Sequence, residues 1–409
     1  MRTRPRGGRI PGVVATVLGL LLTLLVTACS SGDGGGGGSD APENGGRDTP
    51  TATAPEVRIA IAPGNGATGV ATARELRVSA EDGTLTEVTV TAPDGAEVPG
   101  ELADDGTSWE PAEHLANATE YTVTAVGENA DGVATAETST FTTVAADATF
   151  HSGWNIPDGA TVGVGMVLSM TFDTPIEEIG DVRDAVEITT EPPVDVRGHW
   201  FGLQRLDFRP EEYWEPGTEV TVRFRIRGVE GAPGVYGTLH EDLSFTVGRA
   251  QISTVDAEAK DMRVVRDGET IRTLPVTTGA AATPTWNGRM VVTEKFAETR
   301  MNGATVGYGG EYDIRDVPHA LRLSTSGTFI HGNYWAGSGV FGSENASHGC
   351  VGLADVQGAG DPSTPAAWFY ENSLIGDVVE VVNSDEEIIA PDNGLSGWNM
   401  EWSQWGAGQ

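Results

Sequence analysis

Phe329-Ile330-His331-Gly332, a Gly/Ser-rich loop, then Ser347-His348-Gly349-Cys350-Val351-Gly352-Leu353: these residues say more than any others in the 409-residue chain. An apolar strand ends at His331 and gives it a rigid mount. The span from Ser338 to Pro365 is loop-like and returns to a second histidine and a cysteine. Acyl transfer through sulfur needs a thiolate, a base to form it, and donors for the tetrahedral oxyanion. A thiol of pKa ~8.5 falls to roughly 3.5–7.5 beside an imidazolium. His331 and His348 both lie within 19 positions of Cys350. The backbone N–H groups of His348 and Gly349, on a tight loop, predict an oxyanion cradle. Gly349 permits the unusual backbone angle that such a loop needs.

The chain has two cysteines, Cys29 and Cys350. Arginines crowd the segment Met1 to Pro11, Val13 to Val26 is almost wholly apolar, and Val26-Thr27-Ala28-Cys29 follows. A positive start, an apolar run and small residues before a cut are the marks of an export signal. The run is too short for a comfortable membrane span. Its ending resembles the lipobox of bacterial lipoproteins, in which the cysteine is lipidated. Residues 1–28 are therefore expected to be a signal peptide. Cys29 is expected to carry the lipid that holds the protein to the bilayer, on the outer face of the cytoplasmic membrane in the cell-wall space. Cys350 then has no disulfide partner within the chain, and a lone thiol in an exported protein is a liability unless it does chemistry.

Gly, Ser, Pro and acids dominate residues 29–55, a flexible tether with a reach on the order of 28 Å. Beyond it, short Val/Thr-rich runs alternate with turn signals such as Pro93-Asp94-Gly95, a texture of strands rather than helices. Residues 56–146 and 148–249 each predict a small immunoglobulin-like sandwich. Their endings, Ser139-Thr140-Phe141-Thr142-Thr143 and Leu243-Ser244-Phe245-Thr246-Val247, hint at a repeat. Trp154, Trp200 and Trp214 read as packing residues. Residues 251–384 form a third, β-rich domain with a short helix at Pro365 to Asn372 and a last strand at Asp377 to Val382. Residues 385–409 form a tail whose Trp398, Trp402 and Trp405 read as packing back on the protein. The net charge of −34 repels phosphate backbones and excludes nucleic acid as a partner.

The pattern His331…Ser347-His348-Gly349-Cys350-Val351 resembles the signature of the L,D-transpeptidase (YkuD-type) catalytic family. Thr283-Pro284-Thr285-Trp286-Asn287-Gly288 is similar to that family's early turn, and Trp368-Phe369-Tyr370 through Gly376-Asp377-Val378-Val379-Glu380-Val381 to its closing helix and strand. Two sandwiches and a Trp-rich tail resemble its lipid-anchored, multidomain mycobacterial and actinobacterial members. The resemblance implies a mainly β chain: two immunoglobulin-like modules, then the catalytic domain with the tail packed on it. It implies Cys350 as nucleophile, His331 as base, the Gly332 carbonyl as the group that holds His331, and His348 as a pocket residue that tunes the thiolate. Met301, Tyr312, Trp335, Ser347 and Gly349 are implied to contact substrate, with Tyr312 helping to hold the oxyanion. Gly332 stands where other members often have Ser, and Gly352 where they usually have Asn.

The implied partners are peptidoglycan stem peptides as acyl donor and acceptor, joined in 3→3 cross-links, and carbapenem-type β-lactams as acylating inhibitors. No cofactor or metal is implied. His331, His348 and Cys350 as zinc ligands would lack the usual ligand spacing and a fourth ligand. Two other readings stay open: a wall-binding lipoprotein with an inactive catalytic domain, and a carboxypeptidase or hydrolase of the same fold. His319 and the module histidines His114, His151, His199 and His240 are expected at the surface.

Overall fold

A computed structural model of the chain describes residues 54–305 and 309–406. The expected signal peptide, Cys29 and nearly all of the tether lie outside these residues.

The first module is a sandwich. One sheet orders the strands Arg58–Ala62, Arg77–Glu81, Ser108–Pro111 and Gly100–Leu102; the other orders Ala67–Val70, Ala134–Thr143, Glu120–Glu128 and Thr84–Thr91. Period-two alternation decides which face is dry. Along Glu120–Glu128, Tyr121, Val123 and Ala125 are buried while Glu120, Thr124 and Glu128 are exposed. They meet Val78, Trp109 and Phe141 in the core.

The second module repeats the plan. Val220, Val222 and Phe224 of Glu219–Arg225 point inward, with Met170, Leu206 and Phe245. The shared ending seen in the sequence is a shared position in the fold. Phe141 pairs in parallel with Ala67, and Phe245 pairs in parallel with Ala160, so each module's last strand takes a short early strand alongside it. Trp200 and Trp214 are buried in this core and Trp154 packs at its edge.

In the third domain a five-stranded sheet runs Glu269–Pro275, Asp261–Arg266, Gln251–Asp256, Val378–Val382 and Gly288–Val291. The near-continuous apolar run Val378-Val379-Glu380-Val381-Val382 suits an interior place, and it pairs in parallel with Gln251–Asp256. The second sheet runs Glu294–Asn302, Asp313–Arg322, Phe329–Asn333 and Val351–Ala354. The loop-like reading of Ser338 to Pro365 is thus corrected in part, because Val351–Ala354 is a strand. Its pairing is parallel, with His331 opposite Gly352, which brings the two halves of the His…Cys signature side by side. The helix Pro365–Asn372 has the bounds expected: Pro365 opens it, and the Thr364 hydroxyl caps it by accepting from Ala367 N–H.

The second module and the third domain share packing. Gly163 and Gly165 donate backbone hydrogen bonds to Ile375 and Gly376. Arg249 pairs with the buried Asp377 at 2.9 Å. Val291, Val378 and Trp398 belong to the second module's own core cluster. The tail goes further than expected. It touches the third domain where Asn399 accepts from Arg289 N–H, but its tryptophans lie mainly on the second module. Trp398 and Trp405 donate to the carbonyls of Gly165 and Arg197, both at 2.8 Å. The Arg209 guanidinium sits 4.7 Å and 4.3 Å from their ring centres. Burial lowers Arg209 to about 10, so it is still a cation at neutral pH and attracts the ring faces.

Candidate functional site

Cys350 stands directly before the strand Val351–Ala354, and the residues leading to it form a pinned turn. Ser347 donates its N–H to the Thr278 carbonyl, and its own carbonyl accepts from Ala280 N–H and the Thr283 hydroxyl. The Ser347 hydroxyl donates to the Cys350 carbonyl at 2.5 Å and accepts from Gly349 N–H at 3.2 Å. Gly349 has φ +101°, a backbone region that a side chain would strain. Thr278 and Ala280, with Thr283 at the start of the early turn, therefore brace the cysteine loop. Gly352, just beyond, exchanges both backbone hydrogen bonds with Thr277.

Met301, Tyr312, Ile314, His331, Asn333, Trp335, Ala346, Ser347, His348 and Cys350 line one cavity of about 160 Å³. A larger cavity of about 720 Å³ opens where the two modules meet, beside His114 and Tyr121, but no cysteine or serine lines it. Most of the expected site residues are thus brought together. Gly332 and Gly349 are not on the cavity wall: Gly332 acts through its carbonyl and Gly349 through its turn.

His331 is buried, and its Nδ1 donates to the Gly332 carbonyl at 2.9 Å. A carbonyl can only accept, so Nδ1 carries the proton and Nε2 of the neutral ring is left as a base. Burial pushes His331 below its ordinary range, outweighing the Gly332 hydrogen bond and the charge of Asp355, which both pull it up. Trp335 stacks on the ring, with centroids 5.6 Å apart. Across the cavity His348 is exposed, accompanies Tyr312 at 5.1 Å between ring centres, and bonds Glu311 at 3.1 Å.

The resting thiol differs from the expectation of an imidazolium-bound thiolate. Among the described residues no hydrogen bond joins Cys350 to His331; the thiol donates to the Gly327 carbonyl at 3.6 Å. Burial pushes it up to about 11, against a smaller lowering by the Phe329 N–H. Both partners rest neutral. Of the two N–H groups expected to form the oxyanion cradle, that of Gly349 is occupied by the Ser347 hydroxyl. Cys350 N–H makes no hydrogen bond among the described residues.

Two further expectations change. His319 is buried, not superficial, and bonds the covered carboxylate of Asp355 at 2.7 Å. His199 is buried against Trp405, and His114 is half-buried beside the Gly228 carbonyl. Asp355 also accounts for Gly332, because a β-carbon there would run into its carboxylate. Among the cavity residues, Ile314, Asn333 and Ala346 were not anticipated. Asn333 had a legible signal, two residues beyond His331 and so on the same strand face.

Among the described residues no cluster of His, Cys, Asp and Glu has the makings of a metal site.

Comparison with known proteins agrees with this architecture. Residues 67–230 match the model of the bacterial Ig domain, and residues 250–381 match that of the L,D-transpeptidase catalytic domain. The chain is 33% identical to L,D-transpeptidase 2 of Mycobacterium tuberculosis (strain CDC 1551 / Oshkosh), over 100% of this chain and 96% of that one. It is 31% identical to L,D-transpeptidase 5 of the H37Rv strain, over 86% of this chain and 76% of that one. A solved LD transpeptidase in complex with imipenem is 27% identical, with a TM-score of 0.47, over 56% of this chain and 97% of that chain.

Proposed function

Since this chain belongs to the L,D-transpeptidase family, we propose that it joins peptidoglycan stem peptides through a thioester on Cys350. The observation that carries this reading is the shared cavity of Cys350 and His331, with the His331 proton locked on the Gly332 side. In the resting pair the thiol keeps its proton. As sulfur attacks the carbonyl of the L-centre before the terminal D-alanine, that proton passes to His331 Nε2. The oxyanion takes the Cys350 N–H as donor. Collapse breaks the bond to D-alanine, whose amine leaves with the proton from Nε2, and the thioester remains. The side-chain amine of a second stem then attacks and yields its proton to Nε2. Sulfur departs and recovers that proton, leaving a 3→3 cross-link. Every proton is carried by His331, so no cofactor enters the scheme.

Purified tetrapeptide muropeptides test it: the full chain should release D-alanine and give a cross-linked dimer by mass. A trimmed monomer instead would mark a hydrolase, and no D-alanine a wall-binding protein. A carbapenem is a strained acyl donor for the same thiol. Its adduct should appear in the intact mass and vanish in Cys350→Ala; an adduct that persists would displace Cys350 as the nucleophile. We further propose, from residues 1–55 of the sequence, that lipid on Cys29 holds the enzyme at the outer face of the cytoplasmic membrane.

A further inference from the structure

Asn333 ends the strand Phe329–Asn333, on the same face as His331, and its side chain lines the cavity. The residue is only 8% exposed. Its carboxamide is oriented, because Oδ1 accepts from Ala336 N–H at 3.1 Å. That bond turns Nδ2 away from the Ala336 turn, and among the described residues Nδ2 meets no acceptor. Nδ2 is not sealed from solvent, so it stays a hydrated donor that a molecule in the cavity can engage. The space it occupies is also reserved. Gly352 lies opposite His331 in the parallel pair, and a β-carbon there would sit 3.3 Å from Asn333 Nδ2 and 2.8 Å from Thr277 Cγ2. Glycine at 352 leaves that floor to the Asn333 amide.

We infer that Asn333 is a substrate-positioning residue, whose Nδ2 donates to a carbonyl or carboxylate oxygen of the acyl-donor peptide in the Cys350 cavity. The inference rests on the transpeptidase reading above. The acceptor must be an oxygen, because the amide has only N–H groups to offer once Oδ1 is engaged. A neutral donor of this kind suits an uncharged peptide carbonyl, which it can orient without the desolvation cost of a buried charge.

The test uses the full chain and a tetrapeptide muropeptide, reading D-alanine release. Asn333→Asp keeps the shape and the Ala336 hydrogen bond but removes the donor; Asn333→Ala removes both. KM for the donor should rise about tenfold in each, the loss of one hydrogen bond of ~1–1.5 kcal/mol. The rate of Cys350 alkylation by iodoacetamide in Asn333→Ala should stay within about twofold, since no peptide is being positioned. Thermal melts of both variants report folding. A purely structural role predicts a near-native KM in Asn333→Asp and a lowered melt in Asn333→Ala; that pattern would overturn the assignment alone. A wild-type chain that releases no D-alanine would overturn the reaction, and the assignment with it.

Discussion

A thiol raised to about 11 by burial and an imidazole lowered by burial do not exchange a proton at rest. Cys350 should therefore react with a small alkylating reagent in proportion to a thiolate that is scarce at neutral pH. Its rate is expected to climb with pH beyond 9, without a plateau between pH 6 and 8. A plateau there, lost in His331→Ala, would mean that a thiolate–imidazolium pair already exists, and the neutral resting state would be wrong. Acyl transfer, by contrast, needs His331 unprotonated. Because its pKa is depressed, kcat/KM should hold to a pH below the ordinary histidine value and fall only beneath it. Much of this residue-level picture was legible in His331…Ser347-His348-Gly349-Cys350. The thiol's actual acceptor, Gly327, was not, since nothing in a strand's sequence tells which carbonyl a neighbouring loop will turn toward it.

At the scale of elements, the parallel pairing of Phe329–Asn333 with Val351–Ala354 places the site, and the layer beneath it limits what the strand may carry. Gly332 is backed by Asp355, which also holds His319 and accepts from the Thr364 hydroxyl. Gly332→Ser should therefore overpack this layer and cost about 1–3 kcal/mol. Combined with Asp355→Ser, which makes room, it should cost less than the two single changes added together. Urea unfolding midpoints for the three variants decide this, and simple additivity would show that the two positions do not press on one another. The reading of His319 as a surface residue failed for the same reason. Its neighbour Asp355 is 36 positions away, and only strand pairing makes the two adjacent. The helix Pro365–Asn372 was legible because its start is written locally, in Thr364 and Pro365. The hairpin Glu294–Asn302 with Asp313–Arg322 was missed: Glu294–Asn302 has no fully buried residue and so no clear alternation.

Over the whole molecule, the tail links parts that sequence order keeps apart. Trp398 is buried between Gly165 of the second module and Arg289 of the catalytic domain, with Arg209 over its ring. Trp398→Ala should cost about 3–5 kcal/mol. Because Trp398 sits in the core cluster that joins second module to catalytic domain, calorimetry of the variant should split one transition into two. A single, merely lowered transition would show that Gly163, Gly165 and Arg249 suffice to couple them. The modules themselves were legible from alternation and turn residues. That the tail reaches past its own domain was not, because three tryptophans announce burial without naming the surface that buries them.

The seam at residues 163–165 and 375–377 has a mechanical consequence. Glycine packed on glycine, with the buried Asp377 paired to a partly exposed Arg249 beside it, leaves no elbow between the second sandwich and the pocket. These contacts hold the cavity's domain in a fixed register against the second sandwich. The bearing of the Cys350 cavity on that sandwich is thus set when the two pack together in folding.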